Sequence, residues 1–129
     1  MIKLPLGINI DSLISDLRSL SWEACDILNY YSQMLSEKEN ISNFIKNNNT
    51  DPVTLADLKV NEIIINGINE KYEGINWDIL SEENVKVSPA NCDLNSDWLW
   101  ILDPLDGTKD FIQGTCNYAM HLALNYKKR

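Results

Sequence analysis

The stretch Trp100-Ile101-Leu102-Asp103-Pro104-Leu105-Asp106-Gly107-Thr108 joins an apolar, aromatic run to a short acidic segment. Trp98 to Leu102 has strand composition, and the acids Asp103 and Asp106 follow it directly. Acids just beyond a strand end can converge on one point while the strand holds them rigid. Magnesium needs such convergence, because it takes oxygen ligands in tight octahedral geometry. Pro104 fixes its own φ and removes a donor, and the bend can turn the Leu105 carbonyl toward the same point. A helix starting at Gly107-Thr108 would aim free N–H groups there, a ready cradle for a phosphate. Gly107 allows close backbone approach, and the Thr108 hydroxyl can orient a water.

Two further acidic groups lie upstream. The segment from Thr54 to Tyr72 reads as a helix with apolar Leu58, Ile64, Ile65 and Ile68. Thr54-Leu55-Ala56-Asp57 resembles a capping box, which places Asp57 in the first turn. Trp77-Asp78-Ile79-Leu80 reads as a strand leading into Ser81-Glu82-Glu83. Each signal alone has a plain structural explanation. Asp-Pro and Asp-Gly are ordinary turn formers, Glu82-Glu83 is an ordinary solvated pair, and Asp57 alone is a helix cap. The four tryptophans read as core, and His121 as a packed or edge histidine without a role. The argument for chemistry rests on the joint order of the acids.

The rest of the chain supplies scaffold. Asp11 to Glu39 reads as one long amphipathic helix, capped by Asp11 or Ser12. Its stripe is Leu13, Leu17, Leu20, Ala24, Leu28, Tyr31 and Leu35, a core-facing side. Lys46 to Pro52 is polar and reads as a loop, as does Lys86 to Asp97. A short helix after Gly107 is expected to end near Gly114, and Tyr118 to Tyr126 reads as a strand.

The 129 residues suit one globular domain spanning 1–129. The net charge of −8 repels polyphosphate backbones, which argues against a nucleic-acid polymer as partner. A small anionic substrate is compatible if carboxylates hold divalent cations that attract it. Cys25, Cys92 and Cys116 are odd in number and widely spaced, as in a cytoplasmic protein with reduced thiols. No signal peptide and no transmembrane segment is legible.

Asp51-Pro52-Val53-Thr54-Leu55-Ala56-Asp57, Leu80-Ser81-Glu82-Glu83 and Trp100 through Phe111 together resemble the inositol monophosphatase superfamily, the lithium-sensitive, magnesium-dependent phosphatases. The pattern Trp-x-x-Asp-Pro-x-Asp-Gly-Thr-x-x-Phe is highly specific. Lys109, directly after Thr108, and Pro52-Val53-Thr54 resemble the CysQ-type branch. That branch hydrolyses 3′-phosphoadenosine 5′-phosphate, a by-product of sulfate activation and sulfotransfer, to AMP and phosphate.

The resemblance implies an α/β fold, with long helices on a mixed, mostly antiparallel sheet: the first half of the sugar-phosphatase fold. It implies that Glu82, Asp103, the Leu105 carbonyl and Asp106 ligate magnesium, two or three ions in a complete protein. Glu82 and Thr108 would position the attacking water, and Asp57 would support a further water or act with Thr108. Glu82, Leu105, Asp106, Gly107 and Thr108 would border the substrate, with the Gly107 and Thr108 amides on its phosphate. The reaction would be in-line attack of a metal-activated water on a phosphomonoester. An inositol or sugar monophosphatase with the same site is the alternative.

The chain departs from the family in two ways. It has no match to the later Trp-Asp motif followed by glycines, whose aspartate completes the metal site. It also lacks the second αβ region that covers the site. The expectation is a truncated N-terminal half, with an inactive remnant as the third reading. Full-length members of the family are often homodimers.

Overall fold

The computed structural model describes residues 3–87 and 95–127. Its elements are α1 (Ile10–Ser36), α2 (Lys38–Asn48), α3 (Pro52–Lys71), β1 (Asp78–Ser81), α4 (Glu82–Val87), β2 (Trp98–Asp106), α5 (Thr108–Gln113) and β3 (Ala119–Tyr126). The sheet order is β1-β2-β3, with β1 parallel and β3 antiparallel to β2. The expected mixed α/β layering is therefore present. Among the described residues, no helix is long and apolar enough to cross a membrane.

The apolar stripe of α1 faces the core as its spacing predicts. Leu13, Leu20, Ala24, Leu28 and Tyr31 are buried, with Leu17 and Leu35 packed at the margin. α3 answers with Ala56, Val60, Ile64 and Ile68, all fully buried and spaced by four, so they lie on one face. Gly67 sits where these helices meet, and a side chain there would run into Leu20. Trp100, Leu102, Leu105 and Phe111 close the core from the sheet side.

Several expectations are corrected. The first helix stops at Ser36, because Glu37 leaves helical geometry and its N–H reaches only the Met34 carbonyl. Its cap is Asn9, whose Oδ1 accepts from Ser12 N–H at 3.0 Å, not Asp11 or Ser12. The polar stretch from Lys46 is not all loop, since α2 runs to Asn48. Phe44 packs edge-on against Tyr31, which gives α2 a reason to form, and Asn49 ends it in the left-handed region.

The capping box at Thr54 is also corrected. Asp51 is the cap of α3, accepting from Thr54 N–H and Thr54 Oγ1, both at 2.8 Å, with Pro52 as first helical residue. Asp57 is thus the sixth residue of α3, one turn later than expected. Leu58 points outward at 42% exposure, and Trp22 is a surface residue at 67%. Glu82 and Glu83 directly follow β1, as expected, and open α4. Most of the connection expected from Lys86 to Asp97, residues 88–94, lies outside the described residues, as does Cys92. Cys25 and Cys116 are free and exposed.

Candidate active site

The parallel pairing of β1 and β2 builds the site. Ser81 stands beside Leu102 in the register, so the residues that follow them, Glu82 at the start of α4 and Asp103 within β2, are neighbours. Their carboxyl groups interact directly. Burial, and then the negative charge of Glu82, push the Asp103 carboxyl above the usual aspartate range. The Leu105 N–H donated to Asp103 Oδ1 at 3.2 Å pulls the other way. The charge of Asp106 and a hydrogen bond shared with Glu82 add to the upward push.

β2 does not end before the acids. It runs through Asp106, with an irregularity in between. Asp103 pairs with His121, whereas Asp106 pairs with Ala119. Three steps on β2 thus match two on β3, which is one extra residue, a bulge. Pro104 explains it, because proline has no N–H to give to a ladder. The bulge has a chemical consequence. Residues three apart on a regular strand face opposite sides, but His121 and Ala119 lie two apart and share a face. Asp103 and Asp106, held opposite them, are thereby brought to one face as well. Pro104 and Leu105 are buried beneath, while Asp106 is exposed.

α5 begins at Thr108, as expected. Gly107 precedes it at φ 81°, and an added Cβ would stand 2.5 Å from the Asn117 carbonyl oxygen. Only glycine fits this position. Thr108 Oγ1 donates weakly to the Leu105 carbonyl at 3.4 Å, which places hydroxyl and carbonyl side by side. Thr108 and Lys109 are both exposed at the start of the helix.

The structure therefore brings Glu82, Asp103, Leu105, Asp106, Gly107 and Thr108 into one neighbourhood. Asp57 is half-buried on α3, which packs against β2 and α4. Among the described residues, no three His, Cys, Asp or Glu side chains are grouped so that they could hold a metal ion as they stand. The donors are nevertheless hard oxygens, and the mutual repulsion on Asp103 is the kind a divalent cation relieves. The set fits magnesium.

Two residues were missed by the sequence reading. His121 is exposed on β3, with Nδ1 3.9 Å from Asp106 Oδ2. Its pairing with Asp103 depends on a register that no local pattern encodes. The other is Asn61, buried on the apolar face of α3. Ser81 Oγ donates to Asn61 Oδ1, and Asn61 Nδ2 donates to Asn84 Oδ1 at 3.0 Å. A polar residue interrupting the run Val60, Ile64, Ile68 was the available signal.

Comparison with known proteins shows the family and the fold. The model of the inositol monophosphatase family matches residues 10–129. Inositol monophosphatase 1 of Bos taurus is 34% identical over 92 residues, covering 71% of this chain and 32% of the relative. The 3′(2′),5′-bisphosphate nucleotidase CysQ of Shigella flexneri is 35% identical over 75 residues, covering 57% and 28%. Among solved structures, CysQ from Bacteroides thetaiotaomicron superposes with a TM-score of 0.63 at 26% identity. It covers 92% of this chain and 39% of that one. SuhB from Bartonella henselae, at TM-score 0.62 and 21% identity, shares the fold, covering 92% and 40%. The chain thus spans about a third of the curated relatives' length. With the acid motifs, the register that joins them and a family match over nearly every residue, the chain belongs to the inositol monophosphatase family.

Proposed function

We propose that the chain carries the metal-binding and phosphate-binding part of a magnesium-dependent phosphomonoesterase, the N-terminal half of a longer enzyme architecture. The observation that supports it most is the side-by-side placement of Glu82 and Asp103, with Asp106 brought to the same face by the bulge. Glu82, Asp103, Asp106 and the Leu105 carbonyl are the residues that would hold magnesium. When bound, magnesium would supply Lewis acidity to the phosphoryl oxygens and lower the pKa of a water. Glu82 and Thr108 would orient that water, and Asp57 would support a further water or act with Thr108. The Gly107 and Thr108 amides hold the phosphate in place.

For the substrate, we favour a 3′(2′),5′-bisphosphate nucleotide. Lys109 puts an exposed ammonium beside the phosphate cradle, in a chain of net charge −8. A second phosphate on the substrate gives that cation a partner. The exposed free thiols of Cys25 and Cys116 fit a reducing cytoplasm. An inositol or sugar monophosphate is the second reading, favoured by the 92-residue match to inositol monophosphatase 1.

Phosphate release from 3′-phosphoadenosine 5′-phosphate and from inositol monophosphate, measured side by side with magnesium, tests both. The first substrate should be preferred, lithium should inhibit, and Lys109→Ala should erode the preference. Turnover that survives Asp103→Asn intact would refute the site. No magnesium-dependent turnover by the 129-residue chain would make it a remnant when alone.

A further inference from the structure

We propose that Asn61 is a positioning residue for the metal site, holding Glu82 against Asp103 from the far side of the chain. The inference rests on the phosphatase reading above and adds a residue to it. Asn61 is 9% exposed and lies among aliphatic side chains on α3. A buried amide there is unfavourable unless its hydrogen bonds are met. Its carbonyl oxygen accepts from Ser81 Oγ, the last residue of β1, itself fully buried. Its amide nitrogen donates to Asn84, inside α4. One side chain thus bonds to the side chains that flank Glu82, one residue before and two after.

This grip adds to the β1–β2 pairing in fixing the junction between a four-residue strand and a six-residue helix. Both elements are too short to be rigid alone. The same amide also ties the junction to α3. Asp57 lies four residues earlier on that helix, on the same side. Asn61 therefore sets the spacing between the elements that carry Asp57 and Glu82. Metal-ligating carboxylates need such support, because a small displacement opens the coordination geometry.

The test is a Mn2+ titration of the full chain followed by EPR, in which free and bound ions give distinct signals. Asn61→Ala should weaken Mn2+ binding by roughly 10- to 100-fold, as for other residues that orient ligands. Asn84→Ala removes an acceptor from an exposed helix position, so it leaves the fold intact. It should weaken binding several-fold. The two effects should be non-additive, with Asn84→Ala nearly silent once Asn61 is gone. A merely structural role would lower the thermal midpoint and leave the affinity of the folded chain unchanged. Should Asn61→Ala unfold, Asn84→Ala alone decides. Unchanged affinity in these variants, beside normal binding by the parent chain, overturns this inference only. Absence of Mn2+ binding by the parent chain overturns the metal-site reading and this inference with it.

Discussion

Glu82 and Asp103 directly follow the paired residues Ser81 and Leu102, and their like charges oppose each other. Asp103 binds its proton more tightly in the fold than in the unfolded chain. Its contribution to stability is therefore fully present below pH 3.8 and is lost as pH rises through the raised folded value. At neutral pH without metal, the ionised group is a net cost. Asp103→Asn should raise the metal-free thermal midpoint at neutral pH and remove the fall in stability that accompanies rising pH. The same variant should lose the stabilisation that magnesium gives. For the parent chain that gain is about 2.7 kcal/mol at about 100 times the dissociation constant. Thermal melts with and without magnesium, across pH, check both halves. A variant that gains nothing without metal, or still responds to magnesium, contradicts the geometry.

Part of this arrangement was open to reading along the chain and part was not. Trp98 to Leu102 and the acids after it are contiguous, so strand composition and Asp-Pro chemistry mark them. The stripe on α1 repeats over seven positions, enough for periodicity to carry. The pairing of Ser81 with Leu102 joins segments about twenty residues apart, and no local pattern encodes such a register. The bulge at Pro104 depends on a β3 partner that is also distant. α2 was hidden because its interior is rich in Asn and Lys, and Phe44 finds Tyr31 only through tertiary packing. Asn61 was hidden because a single polar residue in an apolar helix shows its purpose only when its partners are seen.

Tyr72 donates to Asp16 Oδ2 at 2.6 Å, joining the end of α3 to α1. Burial, and then the Asp16 hydrogen bond and charge, push the phenol up to about 12. A group whose folded pKa is raised stabilises the fold below its unfolded value. This contribution is full below pH 10.0 and is lost between there and about pH 12. Tyr72→Phe should cost about 1–2 kcal/mol at neutral pH. It should also remove that alkaline decline from the stability profile. Denaturant melts from neutral to alkaline pH measure it, and an unchanged alkaline slope would contradict the assignment.

Gly107 and Gly114 flank α5, and both have positive φ, at 81° and 76°. They differ in surroundings. A Cβ at Gly107 meets the Asn117 carbonyl oxygen, which is backbone and cannot rotate aside, whereas a Cβ at Gly114 meets nothing. Gly114→Ala should cost only the left-handed penalty, about 1–2 kcal/mol. Gly107→Ala should cost more, because the Asn117–Tyr118 backbone leading into β3 must also move away. It should additionally weaken binding of inorganic phosphate, since the displaced backbone is the proposed cradle. Paired stability and phosphate-binding measurements on the two variants separate strain from site. Equal effects would mean that the approach of Asn117 has no bearing on the site.

Asp51 caps the helix that carries Asp57 and Asn61. Burial pushes its carboxyl up, but the hydrogen bonds from the Thr54 N–H and hydroxyl outweigh this and hold it below the usual aspartate value. A depressed acid stabilises the fold above its unfolded pKa of 3.8. That contribution is lost as pH falls through the lowered folded value. Asp51→Ala should cost about 1 kcal/mol at neutral pH. Asp51→Asn keeps an acceptor for the Thr54 N–H, so it should cost less and remove the acid-side loss. The cap acts on the first turn of α3, and Asp57 sits a turn beyond it. Fraying at Pro52 should therefore reach Asp57 before it reaches Asn61, which is anchored by Ser81 and Asn84. Hydrogen exchange along α3 in Asp51→Ala should show faster exchange near Leu55 to Leu58 and little change beyond Asn61. Uniform acceleration along the whole helix would show that the Asn61 anchor does not hold it.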